Sequence, residues 1–179
     1  LYYFGALSAS GHTIFSDDDV NTMLIIQQQE TFSPTALRTA AQNLSDAYGR
    51  KGYLDTVVNF QPTLDDATQT YDIHFTVNEG QQYRVGLVHI FGNDITQSKV
   101  ILRESLFSPG DTFNTIRIEK TQERLENIGY FSKVNVYPVP PEQGHPLGEG
   151  FRDINIEVEE VSTGKIGFFY GYSTLSNIF

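Results

Sequence analysis

Three consecutive carboxylates, Asp17, Asp18 and Asp19, form the densest group of potential ligands in the sequence, and a bound cation is the first chemistry they suggest. They directly follow Ser16, however, at a helix start whose dipole favours negative charge, and neither the spacing nor the glycine of a calcium loop accompanies them. They read as first-turn helix acids. The four histidines, His12, His74, His89 and His145, show no paired ligand spacing, and His74 falls on the polar face of an alternating strand. Ser, His and Asp all occur without a nucleophile elbow to gather them. Glu159 and Glu160 are adjacent on a strand, so their carboxylates point to opposite faces and are unsuited to joint acid and base work. Zero cysteines remove thiolate nucleophiles, Cys-zinc sites and disulfides, and no glycine-rich phosphate loop is present. No enzyme, metal or cofactor is expected. What remains is the hydrogen-bonding chemistry of the backbone itself, so the elements that expose it become the question.

The 179 residues suffice for one ordinary domain or two small ones. A hydrophobic share of 39% and a charged share of 19% fit packed globular structure rather than disorder. The net charge of -10, with no basic patch, disfavours nucleic acid and anionic membrane surfaces as partners. No apolar run approaches membrane-helix length, no signal-like stretch precedes Leu1, and the start without Met reads as a piece cut from a longer chain.

The chain repeats itself with a period of about 80 residues. Tyr2, Gly5 and Gly11 recur 81 positions later as Tyr83, Gly86 and Gly92, bracketing a first strand in each copy. Helix starts follow at Phe15-Ser16 with Val20, and at Ile95-Thr96 with Val100, in the arrangement of a hydrophobic staple with Ser16 and Thr96 as N-caps. Second starts occur at Phe32-Ser33-Pro34 with Leu37, and at Phe113-Asn114 with Ile118. Apolar spacing then runs through Leu37, Ala41, Leu44 and Tyr48, and through Ile118, Gln122 and Leu125, until Gly52-Tyr53 and Gly129-Tyr130 stop the helices. Tyr53 to Phe60 and Phe131 to Tyr137 read as second strands. Third strands alternate strictly, with Tyr71, Ile73, Phe75 and Val77 matched by Ile154, Ile156 and Val158, which predicts Val77 and Val158 on buried faces. Each copy is therefore β-α-α-β-β, an α+β unit with a small sheet covered on one face by a helix pair. The loop from Pro138 to Gly150 reads as the loosest segment. Glu79, Gly80, Gln81 and Gln82 join the copies as a short, limited hinge.

The pattern resembles the POTRA repeat of the BamA superfamily across essentially the whole chain. The residues that carry the resemblance are the run from Val77 to Gly86 into Ile90-Phe91-Gly92-Asn93, then Gly110-Asp111-Thr112-Phe113, then Arg124 to Phe131. The first copy departs from them: Ser8 to His12 replaces an apolar run, and Gln29-Glu30 stands where Pro109-Gly110 would be. After Thr163-Gly164, alternation of Ile166, Phe168, Tyr170 and Tyr172 with small or polar residues has the length of a transmembrane β-strand, broken only by Phe169. A similar sequence opens the barrel of this family directly after its last POTRA module. The resemblance thus implies a module at residues 1–80, the last module before the barrel at 81–163, and the first barrel strand at 164–179, with the junction at Thr163 and Gly164.

The resemblance also implies a three-stranded mixed sheet of order 1-3-2 in each module, leaving the second strand at an edge. An edge strand offers unpaired backbone donors and acceptors that can take up an extended chain with little regard to its sequence. The expected capture residues are Thr56, Val57, Val58, Asn59 and Phe60 in the first module and Lys133, Val134, Asn135, Val136 and Tyr137 in the second. The implied function is the periplasmic part of an outer-membrane β-barrel assembly protein of Gram-negative cells. Its implied partners are unfolded outer-membrane protein precursors, periplasmic lipoproteins and, through a barrel, the outer membrane. Residues 1–80 carry 10 acids against 3 bases, whereas 81–160 carry 12 against 8, so the second module offers the more mixed docking surface. Two alternatives share the modules: a two-partner secretion or autotransporter-assembly pore, and a barrel-less periplasmic scaffold. The repeat and the tail argue against the scaffold, and the number of upstream modules separates pore from insertase.

Overall fold

The computed structural model describes residues 1–162. The junction at Thr163 and Gly164 and the tail to residue 179 lie outside the described residues. In chain order the elements are β1 (Tyr3–Ser10), α1 (Asp17–Leu24), α2 (Pro34–Gly49), β2 (Val57–Asp65), β3 (Thr70–Asn78), β4 (Arg84–Phe91), α3 (Ser98–Glu104), α4 (Thr115–Asn127), β5 (Phe131–Pro138) and β6 (Phe151–Glu160). They form two three-stranded sheets of order β1-β3-β2 and β4-β6-β5. In each sheet the first strand runs parallel to the central one and the second runs antiparallel to it. Each copy is a β-α-α-β-β unit with its own core.

The alternation read in the third strands buries Ile73, Phe75 and Val77 in the first module and Ile154, Ile156 and Val158 in the second. Helix residues close over these faces. Leu37, Ala40, Leu44 and Tyr48 of α2 cover the first, and Ile118, Thr121 and Leu125 of α4 cover the second. Ala41, read as part of the apolar stripe, sits at its rim instead. Caps form at Ser16, where Ser16 and Asp19 make a capping box, and at Ser33 and Asn114. The start expected at Thr96 is shifted: Gln97 is the N-cap and Ile95 is largely exposed. The Thr96 N–H is already committed to the Glu160 carboxylate at 2.6 Å, which holds it outside the helix.

Two polar devices recur in both copies. At a bulge in the first strand, the Ala6 N–H donates to Asp72 Oδ1 and the Leu87 N–H to Asp153 Oδ1, each at 2.7 Å. Gly5 and Gly86 sit beside these carboxylates because any Cβ there would collide with them. At the end of each third strand a glutamate ties down the chain entering the first helix. Glu79 accepts from Thr13 Oγ1, the Ile14 N–H at 3.0 Å and Tyr48 Oη at 2.7 Å, and Glu160 accepts from the Ile95 and Thr96 N–H groups.

The loop before β6, expected to be loose, is pinned. His145 is buried and its Nε2 lies 2.7 Å from Asp153 Oδ1, while the Arg152 Nε donates to the Val139 carbonyl at 2.8 Å. The Asp153 carboxylate and a buried imidazole thus hold this Pro- and Gly-rich segment in place.

Candidate functional site

Sheet edges are where this fold exposes backbone chemistry, and the four edges differ. The first half of β1 is covered by the α1–α2 loop, with the Phe4 N–H donating to the Glu30 carbonyl and the Gln29 N–H to the Phe4 carbonyl, both at 2.8 Å. The α3–α4 loop does the same for β4, through Val85 to Asp111 and Gly110 to Val85, both at 2.7 Å. These loops satisfy the groups that an added strand would use.

The edges of β2 and β5 carry no such loop among the described residues. Strand β5 pairs with β6 in a register that sets Val134 opposite Val158 and Val136 opposite Ile156. The Val136 N–H points away from β6, toward α4, where it meets a side chain. In an antiparallel ladder alternate residues turn their backbone groups to opposite sides, so Val134 and Val136 face outward and Lys133, Asn135 and Tyr137 face β6, while Ser132 falls in the bulge between Phe131 and Lys133 and has no place in the ladder. Strand β2 holds the equivalent register, Val58 opposite Val77 and Phe60 opposite Phe75, so Val58 and Phe60 face outward there. Pro62 and Pro138 occupy the next outward position in each edge, where a missing N–H costs the sheet nothing. A groove of about 410 Å³ runs beside β2, lined by Arg38, Ala41, Gln42 and Ser45 of α2 and by Thr56, Val57, Val58 and Phe60.

The modules meet at a joint laced with polar contacts. Tyr53 bridges Gln82, the Tyr83 N–H donates to the Gly52 carbonyl at 2.9 Å, and Gln82 Nε2 donates to the Lys51 carbonyl at 2.7 Å. Asp55 accepts from Arg152 at 2.9 Å and from the Tyr83 hydroxyl at 3.0 Å, and the Arg152 guanidinium lies 4.9 Å from the Tyr83 ring centroid. Burial, and then the bond to Asp55, push the Tyr83 hydroxyl pKa up. Leu54 of the first module packs on the second core.

The family model described as "POTRA: Surface antigen variable number repeat" matches residues 2–80 and again 83–161. The chain belongs to the POTRA family. Among curated proteins, the outer membrane protein assembly factor BamA of Nitratidesulfovibrio vulgaris is 26% identical over 177 residues, which cover 97% of this chain and 22% of that protein. The chain spans about a fifth of the length of the curated relatives it matches. Among solved structures, POTRA3-5 of Haemophilus influenzae BamA superposes with a TM-score of 0.78 at 22% identity, covering 89% of this chain and 61% of that one. BamA of Haemophilus ducreyi lacking POTRA domains 1-3 gives a TM-score of 0.77 at 23% identity, covering 90% of this chain and 30% of that one. Both chains share the POTRA fold over most of this sequence.

Against these POTRA modules the residues expected to capture a chain divide sharply. Thr56 lies outside β2, and its hydroxyl is held by the Tyr53 and Glu79 carbonyls, so it belongs to the joint. Val57, Asn59, Lys133, Asn135 and Tyr137 belong to the strands, but their backbone groups face the central strand. Val58, Phe60, Val134 and Val136 face outward. Of the joining residues, Gly80 takes a φ of 68° and Gln81 is exposed, whereas Glu79 and Gln82 are bonded into the first module. Sequence reasoning missed Asp55 and Arg152, 97 positions apart, and the meeting of His89 and His145 on the two oxygens of Asp153.

Proposed function

We propose that this chain is the periplasmic POTRA region of an outer-membrane β-barrel assembly protein, specifically its two barrel-proximal modules, and that it takes up extended segments of unfolded outer-membrane precursors by strand addition. The observation that carries the reading is the β2 edge, where Val58 and Phe60 present outward backbone groups beside an open groove. Main-chain bonding of this kind suits clients that differ in sequence but share extended, alternating segments. The names of the matched relatives favour an assembly factor over a secretion pore or a barrel-less scaffold. Thr163 and Gly164 would then open the barrel. The joint would act as a stiff spacer that bends only slightly around Gly80. Periplasmic lipoproteins would dock on the second module, whose mixed charges suit protein contact better than the acidic first module.

The test is titration of an eight-residue peptide alternating Thr and Val into the chain, followed by backbone NMR. Val58→Pro removes one outward donor and leaves every ladder bond to β3 in place, so the expected result is at least about tenfold weaker binding with an unchanged circular dichroism spectrum. Undiminished binding to a folded Val58→Pro chain would overturn the strand-addition reading.

A further inference from the structure

The two outer edges are not equivalent, and one side chain makes the difference. In the second module Gln122 Oε1 accepts the outward N–H of Val136 at 3.1 Å, and Gln122 Nε2 donates to Glu126 Oε1 at 3.1 Å. The carboxylate one turn along the helix fixes the amide's orientation, since a flipped amide would set its oxygen against Glu126 and its NH2 against an N–H. Counted from the N-caps Ser33 and Asn114, the eighth helix position is Ala41 in α2 and Gln122 in α4, and the twelfth is Ser45 or Glu126. Burial supports this alignment, because Leu37 and Ile118, Ala40 and Thr121, and Leu44 and Leu125 are buried pairwise at the fourth, seventh and eleventh positions.

Ala41 cannot reach the edge, and among the described residues no side chain bonds to the Phe60 N–H. Among the described residues no acceptor meets the outward donor of Val58 or of Phe60 along β2. Along β5 the Val136 donor is taken and Pro138 has none, which leaves Val134 isolated in the middle of the edge even though an open groove lies beside Phe131 to Asn135. Strand addition needs consecutive ladder positions.

Resting on the strand-addition reading above, we infer that Gln122, oriented by Glu126, is a built-in cap that closes the β5 edge, so that extended polypeptide is captured on the β2 edge of the first module alone. The cap is a selectivity device between two otherwise equivalent modules. It also shields the second module's edge from unwanted pairing.

Two measurements on the 179-residue chain test it. In the first, hydrogen exchange should be slower at the Val136 amide than at Phe60, and Gln122→Ala should accelerate Val136 by roughly tenfold. In the second, the Thr-Val peptide carrying a nitroxide label should broaden the amides of Val58 and Phe60 in the parent chain. Gln122→Ala should add Val134 and Val136 and raise the stoichiometry from one to two. Ala41→Gln combined with Ser45→Glu should rebuild the cap on β2 and abolish broadening there. Exchange at Val136 as fast as at Phe60, or parent-chain binding at both edges that Gln122→Ala leaves unchanged, overturns this inference alone. Absence of peptide binding to all three chains overturns the strand-addition reading and this inference with it.

Discussion

Replacing Asp55 with Ala should loosen the joint between the modules by more than a surface ion pair would suggest. The carboxylate serves two donors at once, the Arg152 guanidinium at 2.9 Å and the Tyr83 hydroxyl at 3.0 Å. The Arg152 side chain is only 8% exposed, whereas that of Asp55 is 45% exposed. Fully exposed pairs are worth about 0.2–1 kcal/mol, and breaking a fully buried pair costs about 3–5 kcal/mol. Here water screens one partner, and the buried one keeps the Val139 carbonyl and the Tyr83 ring, so the coupling between Asp55 and Arg152 should fall near ~1–2 kcal/mol. A double-mutant cycle with Asp55→Ala and Arg152→Met isolates that coupling, because Met retains most of the packing of the arginine stem. Urea unfolding followed by far-ultraviolet circular dichroism, in a chain without tryptophan, supplies the four stabilities. Decoupling should also split one transition into two, with a lower slope for each. A coupling below about 0.3 kcal/mol, with midpoint and slope unchanged, would refute the idea that this contact fixes one module on the other.

Acid should act through the glutamate latches. Burial pushes the Glu79 pKa up, but hydrogen bonds from Thr13, Tyr48 and the Ile14 N–H outweigh it and bring it from 4.5 down to about 2. A depressed carboxylate stabilises the fold above its unfolded value and loses that contribution as pH falls through its folded value, so thermal stability should decline between pH 4.5 and about 2. Glu79→Gln should flatten the decline only in part, because the Glu160 pKa is lowered as well, chiefly by the Thr96 N–H; an acid limb identical to that of the parent chain would count against the latch. His145→Ala should free the segment before β6 and raise its rate of proteolytic cleavage severalfold under native conditions, read by mass spectrometry, since it removes the bond to Asp153 and the buried ring stacked on Phe151.

Features that follow from local pattern were legible in the sequence. Alternation placed Val77 and Val158 on buried faces because a strand has a period of two, and Ser33 before Pro34 marked a helix start because both side chain and ring favour that position. The edge set was legible only in outline. Sequence names a strand but not which way each N–H points, so Val57, Asn59, Lys133, Asn135 and Tyr137 could not be separated from their outward neighbours without the register. The sequence placed the join at Glu79 to Gln82 but not the contacts that brace it, since no local rule couples Asp55 to a residue 97 positions away. One signal did stand in the sequence: Gln122 is a polar residue within an otherwise apolar helix stripe. A polar residue there must find a partner or face water, and its partner proved to be the edge.

Asp72 and Asp153 brace the same bulge, and Glu79 and Glu160 tie the same turn, because each satisfies backbone groups that every copy of this fold must place in the same position. At the edge the copies differ: Ala41 stands against Gln122, Ser45 against Glu126, and an α2 of 16 residues against an α4 of 13. The backbone supports are common to both copies, and Ala41 and Ser45 lie along the edge groove. A repeated module can therefore keep one fold while opening its edge in one copy and closing it in the next, through one capping side chain and the carboxylate that orients it.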